Sequence, residues 1–103
     1  MKSYTFEELR SARRASPMPL QHFILSPTLT NIYAGIEKKH SLNDTQMYFV
    51  LRVVSATMLG LESETALETN IHQALPELSH AATLELVADI TTRVLKEAKR
   101  RVL

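Results

Sequence analysis

Apolar residues recur at helical intervals along almost the whole chain. Leu29, Ile32, Tyr33 and Ile36 stand at i, i+3, i+4 and i+7, one buried face of a helix. Ser26 can cap that helix and Pro27 suits its first position. Lys38 and Lys39 lie where a helix C-terminus favours positive charge. A second start follows at Asn43, with Gln46 completing a capping box and Leu42 able to staple onto Met47. Its inner face is Met47, Val50, Leu51, Val54 and Met58, and Gly60 supplies a left-handed stop. Ser63 is expected to cap a helix carrying Leu67, Ile71, Ala74 and Leu75 that Pro76 ends. Ser79 is expected to cap a last helix reaching Val102, with a wide inner stripe of Leu84, Leu86, Val87, Ile90, Val94, Leu95 and Ala98. On its outer side Asp89 and Arg93 are spaced as an i, i+4 ion pair.

Before these lies a shorter unit. Thr5 and Glu8 form a capping box, with Tyr4 placed to staple onto Leu9, so a helix is expected to fade near Ala15. Ser16-Pro17-Met18-Pro19 disfavours helix on the residues before each proline, which predicts an extended connector over 16–25. Its Leu20, Phe23, Ile24 and Leu25 suit a segment lying across the bundle or across a partner. The expected organisation is an arm over residues 1–25 and a bundle over 26–103.

Thr30-Asn31-Ile32-Tyr33 recurs as Thr69-Asn70-Ile71-His72, and the apolar positions after each copy align if the first connection is shortened. That predicts two repeated helical hairpins, each leaving one face bare for the other. No segment alternates with a period of two, so the fold class is all-α.

The stretch from Met47 to Leu61 changes the picture further, because Arg52 is its only charged residue. Phe49, Val53 and Ala56 form a second face roughly opposite the first, and a helix apolar on both sides must be covered on both. Leaving Phe49 and Val53 bare would forfeit about 1.5–3 kcal/mol each. Either the rest of the chain or a second copy provides the cover. The favoured expectation is a homodimer through Phe49, Val53 and Ala56, with Tyr48 and Arg52 at the rim.

The formal net charge of +1 hides a pattern. Residues 1–40 carry six Lys/Arg and three Asp/Glu; residues 41–92 carry Arg52 and seven acids; residues 93–103 carry five bases and Glu97. Basic ends around an acidic middle suit pairing between molecules or ordinary solvated faces. Lys96, Lys99, Arg100 and Arg101 form the densest basic run, backed by Arg10, Arg13 and Arg14, and this is a possible nucleic-acid patch. The run has no aromatic stacking residue.

Candidate chemistry is sparse. There is no cysteine, which excludes disulfides, thiol catalysis and zinc–thiolate sites. His22, His40, His72 and His80 are not spaced as helical ligand pairs, and His72 and His80 straddle Pro76. Glu62, Glu64 and Glu68 cluster at a helix start, where the dipole already favours them. Gly35 and Gly60 alone make no phosphate loop. No enzyme activity, cofactor or metal is expected. Acids at Glu7 and Glu8 interrupt any N-terminal apolar signal, and no run is long enough to span a bilayer. A cytoplasmic protein without membrane attachment is the expectation.

Leu42-Asn43-Asp44-Thr45-Gln46, then Thr57-Met58-Leu59-Gly60-Leu61 and the Leu78-Ser79 restart, resembles small helical proteins of ultrasmall bacteria with reduced genomes. The similarity covers roughly residues 26–100. It implies a helical bundle and cytoplasmic residence, and it assigns no activity, cofactor or site residue. The expected function is a non-catalytic, self-associating protein–protein interaction or assembly module. The alternative is a small nucleic-acid-associated protein using its basic ends.

Overall fold

Capping chemistry sets the helix boundaries in the computed structural model, which describes residues 1–102. α1 (Phe6–Arg14) opens on the reciprocal Thr5–Glu8 box and ends at Ala15. α3 (Pro27–Lys39) starts where the Ser26 hydroxyl accepts from the Leu29 N–H, and α4 (Asp44–Met58) starts on the Asn43–Gln46 box. Both end in Schellman turns. Leu61 N–H reaches back to the Ala56 carbonyl at 2.9 Å, with Gly60 at φ 76°. Leu42 N–H reaches the Glu37 carbonyl at 3.0 Å, with Ser41 in the left-handed region at φ 52°.

The 16–25 segment is not extended. It forms α2 (Met18–Ile24), with Pro17 at the cap and Pro19 in the first turn. Neither proline removes a bond there, because the first N–H groups of a helix have no internal acceptor anyway. Leu20 and Phe23 then stand one turn apart and both enter the core. The connector is therefore part of the bundle, and the radius of gyration of 12.9 Å is that of a chain with no extended arm.

Ser63 does not cap α5. A single 3₁₀ turn (Glu64–Ala66) intervenes, the Ser63 hydroxyl meets Thr65 instead, and α5 (Leu67–Ala74) begins without a side-chain cap. Ser79 does cap α6 (His80–Asp89), which continues through a π segment (Ile90–Leu95) into α7 (Lys96–Val102). Among the described residues there is no strand, so the fold is an all-α bundle.

The π segment corrects the wide stripe. Leu84 and Leu95 are eleven residues apart, so a regular helix would give them nearly the same direction. Leu84 is 43% exposed and Leu95 only 3%. The wide turn between them rotates α7 against α6, and Thr83 takes the inward position expected of Leu84. The expected Asp89–Arg93 pair is also absent: Asp89 meets Lys39 and His40 at the end of α3.

The expected repeated hairpins are not confirmed. α4 packs mainly on α5 and α5 on α6, whereas α3 packs on the π segment and α2. Asn31 is exposed while Asn70 is buried and donates to Glu62. The short α2, wedged between α3 and α7, breaks the symmetry that the repeated tetrapeptide suggested.

Candidate interaction surface

The second face of α4 is closed by the chain itself. Val53 is 2% exposed and Ala56 fully buried, so neither is available to a partner as expected from sequence. α5 packs along α4, and residues 1–4 reach the cleft that Val53 shares with Asn70 and Ala74. This strap is tied down by four polar contacts. Arg52 donates to the Tyr4 carbonyl, the Tyr4 hydroxyl donates to the Leu61 carbonyl at 3.0 Å, and the N-terminal ammonium meets Gln73 at 2.7 Å. The single Tyr4 hydroxyl proton is shared between the Leu61 carbonyl and the Glu62 carboxylate, and the contact with Glu62 raises the tyrosine pKa and lowers the carboxyl's. Tyr48 and Phe49 remain exposed as an edge-to-face pair 5.6 Å apart, with Arg52 over the Tyr48 ring.

A different surface emerges around α2. With Leu20 and Phe23 inward, Met18, His22 and Leu25 fall on the outer side at i, i+4 and i+7. Met18 is 58% and Leu25 66% exposed, an apolar ridge. Met18 opens α2 and Leu25 caps its end, so the two exposed apolar side chains stand about two turns apart on one side.

Positive charge borders this ridge on both sides. α1 ends beside it, where Gln21 donates to the Ser16 carbonyl at 2.8 Å. Arg10 and Arg13 share a cleft of about 200 Å³ with Phe6, Ile24 and Leu59, and Phe6 is 72% exposed under the Arg10 guanidinium. On the other side α7 packs on α2, and Arg100 and Arg101 share a depression with Pro19 and His22. The Arg101 guanidinium carbon lies 5.0 Å from the Phe23 ring centre. The two basic ends of the chain thus meet around one helix.

Part of that charge is already paired. Glu97 binds Arg100 and Arg101, whose hydrogen bonds draw its carboxyl pKa down to about 2. Lys99 binds Glu64, and Arg10 binds Glu7. Of the sequence-predicted nucleic-acid patch, Lys99, Arg100 and Arg101 are so engaged, and Lys96 makes no ion pair among the described residues. Arg13 and Arg14 likewise have no side-chain partner there.

The histidines divide. His22, His72 and His80 are exposed, whereas the His40 side chain is 8% exposed and sits 2.6 Å from Asp89. Asp89 is held below the ordinary carboxyl range, first by the Lys39 hydrogen bond and then by His40. The fold does bring His72 and His80 together, across a cleft between α5 and α6 that Glu68 also lines. Among the described residues no three His, Asp or Glu side chains are placed to hold a metal. A cleft of about 470 Å³ between α2, α4 and α7 is lined by Leu20, Met58, Leu95 and Ala98, with the Glu64–Lys99 pair beside them. No described helix is long and apolar enough to cross a membrane.

Met18, His22 and Leu25 were missed as a surface because 16–25 was expected to be extended. The i, i+3 pair Leu20 and Phe23 was the available signal. The chain matches no protein-family model, no curated protein and no solved structure.

Proposed function

We propose that this protein is a non-catalytic, self-associating interaction module whose contact surface is the apolar ridge of α2 with its arginine borders. The carrying observation is the exposure of Met18 and Leu25 between two groups of cations. Apolar side chains provide the affinity of such a contact, and the surrounding charges select an acidic partner surface and speed encounter. The homodimer expected through Phe49, Val53 and Ala56 loses its motive, since Val53 and Ala56 are already enclosed. A cysteine-free chain suits the cytoplasm.

The test is a mass measurement across a dilution series. The weight-average mass is expected to rise above 11.7 kDa with concentration and to fall back as salt is added. Met18→Asp and Leu25→Asp are expected to abolish the rise, and Phe49→Asp to leave it intact. A mass of one chain at every concentration refutes the proposal.

One observation favours nucleic acid as a second reading: Arg13, Arg14, Arg100 and Arg101 gather near a single helix. Binding of this kind falls steeply with salt and is lost on neutralising Lys96, Lys99, Arg100 and Arg101. Glu97 and Glu64 already occupy three of those four, so the protein reading is preferred.

A further inference from the structure

We infer that the cleft between α5 and α6 receives the Arg14 guanidinium of a second copy of this chain, so that copies join head to tail. The inference rests on the α2 ridge as the contact surface and names what the ridge meets.

Two ridges cannot face each other comfortably. Each is bordered by Arg10, Arg13, Arg14, Arg100 and Arg101, and a symmetric pairing would bring these guanidinia together. The complementary surface must be acidic and lie elsewhere on the molecule. From Val53 to Thr92 the chain contains no lysine or arginine, and α5 and α6 come entirely from that stretch. Glu68, Glu77 and Glu85 carry carboxylates with no cationic partner among the described residues.

Between these helices lies a cleft of about 230 Å³ walled by Glu68, Thr69, His72, His80 and Thr83. Every one of these side chains can accept a hydrogen bond, the histidines when neutral. The Thr83 hydroxyl is buried with no partner, in a residue 1% exposed. Buried polar atoms are normally satisfied, so an orphan in an acceptor-lined wall marks a place for a donor. A bare cation fits poorly, because no three of the His and carboxylate groups are placed to hold one. A guanidinium brings five N–H donors in a planar fork and needs no such convergence.

Arg14 fits that guest. It is exposed at the end of α1, next to the ridge, and its guanidinium has no partner among the described residues. On the receiving side Leu84 is 43% exposed on α6, flanked by the exposed Ala81, Glu85 and Ala88. That gives Met18 and Leu25 an apolar seat beside the charged contact. Two different patches in contact make a heterologous interface, which closes into a ring or continues as a chain of subunits.

A mixing experiment tests this. Arg14→Glu spoils the donor end and Glu68→Arg spoils the cleft; both positions are exposed, and circular dichroism checks that the helices persist. Each variant alone is expected to associate at least tenfold more weakly than the wild type. An equimolar mixture is expected to regain growth, because the native contact alternates with a charge-swapped contact that restores the same ion pair. The R14E/E68R double variant is expected to recover wild-type growth. If Leu25→Asp blocks assembly while E68R does not, or if the mixture stays no heavier than its components, the cleft assignment is overturned and the ridge stands. If the wild type never gains mass, both fall.

Discussion

The Nε2 atom of His40, the residue on which α3 ends, lies 2.6 Å from the Asp89 carboxylate where α6 passes into the π segment. Lys39 reaches the same oxygen at 2.9 Å, but its side chain is 61% exposed against 8% for His40. Burial makes the two contacts unequal. Asp89→Asn weakens both and leaves a nearly enclosed imidazole with a poorer acceptor, so it is expected to destabilise by about 1–3 kcal/mol. Lys39→Ala is expected to stay within about 0.5 kcal/mol. Urea denaturation of the two variants beside the wild type measures the difference.

Ser41 closes the turn after α3 at φ 52°, a conformation that costs an L-residue about 1–2 kcal/mol and glycine little. Ser41→Gly is expected to stabilise the fold by about 1 kcal/mol, with the unfolded chain's extra freedom offsetting part of the relief. The shift in the urea midpoint at unchanged slope is the readout.

Glu97 titrates at about 2 in the folded chain, against an ordinary value of 4.5, because Arg100 and Arg101 donate to it. A lowered carboxyl pKa stabilises above the unfolded value and loses that contribution as pH falls through the folded one. The stability from Glu97 should therefore be complete above about pH 4.5 and vanish toward pH 2. Glu97→Gln is expected to flatten that part of the stability profile. Asp89 is lowered in the same direction, so some slope should survive in E97Q. Thermal melts across this range would show it.

Val53 and Phe49, neighbours on the second face of α4, are expected to respond differently. Val53 is enclosed, so Val53→Ala should cost about 2 kcal/mol and Val53→Asp should unfold the chain. Phe49 is 40% exposed, and Phe49→Asp should remain folded, losing about 1 kcal/mol of partial burial. Circular dichroism during denaturation separates the two. Loss of fold in the Phe49 variant would place that ring deeper in the structure than its exposure indicates.

Much of the architecture was written locally. The boxes at Thr5–Glu8 and Asn43–Gln46, the caps at Ser26 and Ser79, and the turn at Gly60 each act over a few residues and could be read there. What escaped was decided by partners distant in the chain. Val53 could be recognised as needing cover, but not that the strap of residues 1–4 and α5 would supply it. The prolines at 17 and 19 read as helix breakers because their effect depends on position within a turn. The interaction surface was legible only in pieces: the basic ends stood out as charge runs, but their meeting around α2 is a tertiary fact.

The surplus residue in the wide turn at Ile90–Leu95 has a consequence for how this molecule presents its charge. Were the ladder regular throughout, the inward direction set by Leu86 and Ile90 would arrive at Glu97 and Arg101 rather than at Leu95 and Ala98. A carboxylate and a guanidinium would then be pressed into the oily core in place of Leu95 and Ala98. Shortening the chain by one amino acid inside this stretch would regularise the backbone and keep Leu95 and Ala98 inward, whereas regularising it at full length would spoil the molecule's outer coat. Where that extra unit sits governs which flank carries the terminal arginines.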